Sequence, residues 1–300
     1  MSERILTVGG NTATRLVSEF ERKVTGNEFY VSSVDGDDSH NGRSSAMAVA
    51  TIAACLDLMT ANNDDIMYLK PGHAETISAA AGIAIDVAGV TIVGVGTGTL
   101  QPTITFDTII SADMDIDAAN VTIKNVHFRS NFADITAAID VNADDFCLSG
   151  CRFSAVATNM NALIWIQDAL ATASDRITVE GCQVQVVDAA NTHFINFAGT
   201  GDGHKIAGNT LIGDWGTMAI GGAGIVTNIV VIDNIISNAA STNDACINLP
   251  ATTTGIVMRN LACGGAAQAN GITATACAVA ENYYGVVTED LSAILDPIAT

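Results

Sequence analysis

Eight short segments of this chain share one pattern: an apolar residue, any residue, an apolar residue, any residue, then a corner residue, followed by a second alternating strand. They run Val90–Gly94, Val121–Asn125, Phe146–Gly150, Ile177–Gly181, His204–Gly208, Ile229–Asp233, Ile256–Asn260 and Cys277–Glu281. Successive corners lie 31, 25, 31, 27, 25, 27 and 21 residues apart. A period of this size with strands inside it marks a solenoid.

The corner residue is what makes the pattern fold. Within a segment the side chains alternate, so Val121 and Ile123 share one face. Beyond the corner the alternation restarts out of phase, with Val126 and Phe128, Cys151 and Phe153, Cys182 and Val184, and Leu261 and Cys263 as the apolar pairs. One straight strand could not bury both sets. A left-handed residue at the corner bends the chain so that both sets face one core. Gly94, Asn125, Gly150, Gly181, Gly208, Asp233 and Asn260 are residue types that tolerate positive φ. Glu281 departs from the rule at the last coil, where repeats are commonly atypical.

In these segments the chain resembles the right-handed parallel β-helices of the pectate-lyase-like superfamily, over about residues 28–284. The expected fold class is all-β, a parallel solenoid with an N-terminal cap containing one α-helix. Strands stacked about 4.8 Å apart make eight coils a rod of roughly 40 Å. Stacking places Cys151 beside Cys182 and Asn209 beside Asn234. The two asparagines are expected to form a buried amide ladder.

Thirty-two acidic residues against twelve basic ones give a net charge of −20. Nucleic acid and anionic membranes are therefore not expected partners. No N-terminal stretch reads as a secretory signal and no run of about 20 residues as a membrane helix. The seven cysteines are expected to be reduced, with Cys151, Cys182 and Cys263 as small inward-facing apolar side chains.

Four segments follow. Residues 1–27 precede the repeat and are less acidic than the rest; Arg4, Arg15, Leu16, Phe20, Arg22 and Lys23 are the candidate partner-anchoring residues, with Leu16 and Phe20 at near-helical spacing. Residues 28–72 read as a cap: a strand at Phe29–Val31, a loop at Asp35–Gly42, a helix from Ser45 to Thr60 and a strand at Ile66–Leu69. Its task is to cover the first coil's open edge and apolar end. Residues 73–284 hold the coils. Residues 285–300 lose the repeat, and Asp290–Leu295 is expected to add a helical turn or two.

Many β-helices act on polysaccharides, and hydrolysis of a glycosidic bond needs two carboxylates close together on one surface. Asp113, Asp115 and Asp117 alternate with Met114 and Ile116, which places the acids on an outer face. Such a set could bind calcium, but a solvated face gives the same pattern. Gly201–Lys205 contains His204 at an inward position, and Asp144–Asp145 reads as a turn. The Asp35–Gly42 loop lacks EF-hand spacing. Trp165 and Trp215 read as coil-packing residues. No complete lyase or glycosidase set emerges, so no catalytic residue, metal ligand or cofactor is expected.

The resemblance extends to phage virion β-helix proteins. It implies a non-enzymatic capsid decoration, cement or head-fibre protein, made in the host cytoplasm and displayed on the virion surface. The arm would bind the major capsid protein or another virion protein, and the rod would assemble as a homo-oligomer, by analogy a trimer. The alternative is a polysaccharide-binding or polysaccharide-degrading β-helix such as a tailspike.

Overall fold

The computed structural model describes residues 6–8, 11–13, 26–168, 174–186, 188, 190–239, 245–264, 271–286 and 293–295. The candidate anchoring residues Arg4, Arg15, Leu16, Phe20, Arg22 and Lys23 lie outside them. Of the N-terminal arm, Leu6–Val8 and Asn11–Ala13 form an antiparallel pair.

The rest is a right-handed parallel β-solenoid of about eight turns, built among the described residues from three long sheets and one two-stranded parallel pair, Gly201–Asp202 with Val226–Thr227. Sheet 1 has ten strands, from Glu28–Val31 to Cys277–Ala280. Sheet 2, also ten-stranded, runs from Ala74–Ile77 to Asn282–Val286 and ends on an antiparallel strand, Ala293–Leu295. Sheet 3 has eight strands, from Ile83–Ile85 to Ile272–Thr273. The expected helical turn over Asp290–Leu295 is thus a strand where it is described.

Register explains the core. Phe29, Met67, Ile92, Ile123, Leu148, Val179, Ile206, Val231 and Val257 stand in line on the inner face of sheet 1, all buried. Burying each such side chain contributes about 1.5–3 kcal/mol. Sheet 2 adds an aromatic stack: Phe106, Phe128 and Phe153 lie 6.3 and 5.2 Å apart, and Trp165 meets Phe153 edge-on at 5.3 Å.

Two rows of left-handed residues turn each coil. The first contains Asn125, Gly150, Gly181, Gly208 and Asp233, with φ from 54 to 64°. Their N–H groups donate to the next coil, for example Gly150 to the Glu180 carbonyl at 2.9 Å. At two expected corners the structure differs. Gly94 ends the strand Thr91–Gly94 without positive φ, and glycine is needed there because a Cβ would lie 2.1 Å from the Asn125 carbonyl oxygen. In the seventh coil Arg259 is left-handed, not Asn260. Met258 pairs with Ile232, so Arg259 stacks on Asp233 and binds its carboxylate at 2.7 and 2.9 Å.

That one-residue shift moves everything after it. Asn260 becomes an inward ladder residue, Ala262 is buried, and Leu261 and Cys263 turn outward, Leu261 being 51% exposed. Cys263 is therefore not the inward side chain the sequence reading made it. Cys151 and Cys182 are buried as expected.

The asparagine ladder is longer than two. Asn209, Asn234, Asn260 and Asn282 are fully buried, and each amide donates to the next one's Oδ1 at 2.9 Å. Each Oδ1 also receives a backbone N–H from the preceding coil, from Cys182 through Asn260. Buried amides thereby leave no polar atom bare.

The cap helix is shorter than expected. Val49 forms a parallel bridge to Val31, which covers the edge of sheet 1, so the segment from Ala48 is extended and the α-helix spans only Ile52–Leu56. Thr51 caps it by accepting from Ala54 N–H at 3.2 Å, and the Glu75 carboxylate accepts from Ile52 N–H at 3.0 Å.

Candidate functional site

Sheet 3 carries the candidate site. On Met114–Ile116 the side chains of Met114 and Ile116 are buried, which turns Asp115 outward as its alternation predicts. The next strand, Ile135–Val141, pairs Asp140 with Asp115 and Val141 with Ile116. Asp140 thus stands beside Asp115, one coil on. Together with Asp113, these residues bring carboxylate oxygens within 4.8 Å of one another, the sole such group of three among the described residues. Sequence reasoning found Asp113 and Asp115 but missed Asp140, which is 25 positions away; the signal was that coil length.

The local chemistry follows from crowding. Asp115 is pushed up to about 6, by burial first and then by Asp113 and Asp117. Asp140 is likewise pushed up to about 6, by burial and by Asp113 and Asp115. Burial also raises Asp113, although it accepts a hydrogen bond from Ala81 N–H. Like charges this close cannot all ionise without cost, so the group keeps its protons to a higher pH than ordinary carboxylates do. The Oδ1 atom of Asp140 is buried and has no hydrogen-bond partner among the described residues. Three oxygen donors at this spacing could also hold a hard divalent cation.

The row continues beyond the acids. Asp140 is in register with Gln167, Gln167 with Asn196, Asn196 with Gly221 and Gly221 with Asn248. These amides are half-buried on the outer face and make no side-chain hydrogen bond among the described residues. They are available to a ligand lying along the rod.

The other candidates resolve into structural roles. His204 is fully buried; its Nδ1 accepts from Ile177 N–H at 3.2 Å and its Nε2 lies 3.6 Å from Asp168. Asp145 is a left-handed turn residue, and Arg176 binds it at 2.6 Å, which holds its carboxyl below the usual range. In the cap loop, Asp35 pairs with Lys70 at 2.6 Å and Asp38 accepts from the N–H groups of Ala50 and Thr51. Trp165 and Trp215 are fully buried, which suits packing rather than contact with a sugar.

No family model matches the chain, and no curated relative does. Among solved structures it is similar to a GH136 lacto-N-biosidase from Eubacterium ramulus, at 10% identity and a TM-score of 0.44, over 87% of this chain and 68% of that one. The likeness concerns the course of the backbone and carries over no residue or substrate. The expectation of a non-enzymatic protein finds no support here: the structure retrieved is that of a lacto-N-biosidase, and a likeness at this level carries no activity, or lack of one, over to this chain. The resemblance to virion proteins and to the pectate-lyase-like superfamily is not confirmed by this likeness.

Proposed function

We propose that the protein binds and cleaves polysaccharide at the Asp113–Asp115–Asp140 cluster. The observation that carries this reading is the pairing of Asp115 with Asp140 across neighbouring strands, both carboxyls raised to about 6. Near that pH the pair samples both the protonated and the ionised carboxyl. Glycosidic hydrolysis needs these two states side by side: an acid to protonate the leaving oxygen, and a carboxylate to attack the anomeric carbon or activate water. Carboxylate oxygens within 4.8 Å favour the close pair of a retaining mechanism, about 5–5.5 Å between carboxyls, over the wider inverting pair. The outward amides of Gln167, Asn196 and Asn248 extend the row in the direction a chain of sugar hydroxyls would follow.

Reducing-end release from a panel of polysaccharides tests the reading. Wild type should be active with an optimum near pH 6, and Asp115→Asn and Asp140→Asn should each lose at least 100-fold. No release by the wild type on any polysaccharide would refute it. Calcium binding by calorimetry, abolished by Asp140→Asn and unaccompanied by hydrolysis, would make the cluster a cation site instead.

A further inference from the structure

On sheet 1, far round the coil from the carboxylates, Tyr30 and Tyr68 stand in register on neighbouring strands. Their rings lie 5.5 Å apart, tilted by 33°, and both are half-buried. They form the floor of a cleft of about 290 Å³ whose other walls include Glu28, Ser45, Lys70 and Val95. Val95 is 40% exposed and adds to the apolar side.

The rim is polar but not equally available. Lys70 is occupied: its ammonium binds both Asp35 oxygens at 2.6 and 2.8 Å and the Ser45 carbonyl at 3.0 Å. Glu28 is not occupied in this way. Among the described residues its side chain's one hydrogen-bond partner is the Tyr68 hydroxyl at 3.5 Å, too long to be a strong hydrogen bond. Glu28 also raises the Tyr68 hydroxyl's pKa, after burial, so that hydroxyl stays a donor. The cleft therefore offers two adjoining aromatic faces, with a carboxylate acceptor at one edge that only the Tyr68 hydroxyl reaches among the described residues.

We propose that this platform is a second saccharide-binding site, one that holds a sugar ring against Tyr30 and Tyr68 while Glu28 accepts from its hydroxyls. The class of ligand rests on the carbohydrate reading above; the geometry of the site does not. A pyranose has an apolar C–H face and a hydroxyl rim, which matches aromatic rings edged by polar groups. A purely apolar occupant would leave Glu28 desolvated and unpaired. Standing on a different sheet from the cluster, the platform would keep a polymer on the rod between cleavage events.

The test is retention of the full chain on a glycan array and in native gels cast with xylan, galactomannan or β-glucan. Tyr30→Ala and Tyr68→Ala should each weaken retention at least ten-fold. Tyr68→Phe, which keeps the ring, should lose far less than Tyr68→Leu, which keeps bulk without a flat face. Far-UV circular dichroism confirms that each variant folds. Asp140→Asn should abolish reducing-end release, and in that background Tyr68→Ala should still weaken retention. Unchanged retention in the Tyr30→Ala/Tyr68→Ala double variant would overturn the platform. So would a wild type that no glycan retains; reducing-end release by that same protein would then show whether the hydrolytic reading survives alone.

Discussion

Asn234→Ala should destabilise the rod more than any comparable surface change, because it removes the middle of a closed chain of hydrogen bonds. The Asn234 side chain makes four. Its Nδ2 donates to the Ile206 carbonyl and to Asn260 Oδ1, both at 2.9 Å; its Oδ1 accepts from Asn209 N–H at 3.0 Å and from Asn209 Nδ2 at 2.9 Å. All four groups are fully buried, so no water replaces the lost partners. At a net value of about 1 kcal/mol per bond the loss is about 4 kcal/mol, and the stranded Asn209 N–H pushes it towards the upper end. With an unfolding entropy of about 2.1 cal/mol/K per residue, that lowers the melting temperature of a 300-residue cooperative unit by about 6 °C. Asn282 ends the ladder and makes three such bonds, two accepted from Asn260 and one donated to the Val257 carbonyl. Asn282→Ala should therefore cost less, about 3 kcal/mol. Urea midpoints for the two variants and wild type give the ordering. If Asn234→Ala melts within 1 °C of wild type, or Asn282→Ala proves the more damaging, the ladder does not hold the coils together as argued.

Three other outcomes are expected. Asp115 and Asp140 bind protons more tightly in the folded chain, at about 6, than in the unfolded one, at about 3.9. The linked stability is thus complete below about pH 4 and lost as the pH rises through about 6; Asp140→Asn should match wild type at pH 4 and exceed it at pH 8 in urea midpoints. Leu261→Ser should shift stability by less than about 0.5 kcal/mol because the side chain faces out, whereas a corner at Asn260 would have buried it and made the change cost several kcal/mol. Gly208→Ala should cost about 1–2 kcal/mol from its left-handed φ alone, since no atom lies within 4 Å of the new Cβ; Gly221→Ala should cost more, its Cβ falling 2.0 Å from the Asn248 carbonyl oxygen, and thermal melts would rank the two.

Much of the solenoid was legible because its period is local. Alternation before and after Asn125 or Gly150 dictates which side chains face inward, and register does the rest. The failures have physical causes. Beyond Met114–Ile116, sheet 3 was not recognised because its strands double their buried positions: Ala138 and Ile139, like Trp165 and Ile166, are consecutive and all buried, which erases the period of two. Arg259 was passed over as a corner because arginine gains little from a left-handed backbone by itself; what holds it there is the Asp233 carboxylate 26 residues earlier. Asp140 and Asp115, like Tyr30 and Tyr68, are neighbours only across coils. The first pair is separated by a coil of 25 residues and the second by the 38 residues of the cap turn, so composition and motif spacing pass over both sites.

The second row of left-handed residues contains Gly89, Asn120, Asp145, Arg176, Gly203 and Asn228. Each stands five positions ahead of the first-row position in its own coil, from Asn120 and Asn125 to Asn228 and Asp233. Distances from one coil's first corner to the next coil's second-row residue are not fixed: Asn125 to Asp145 is 20 positions, Gly150 to Arg176 is 26. Sheet 1 therefore acts as a reading frame, whereas the remaining arc tolerates gain or loss of residues. Insertions that survive selection should fall in that arc. It is also the arc that carries sheet 3, so the carboxylate face can diversify while the rod beneath it keeps its pitch.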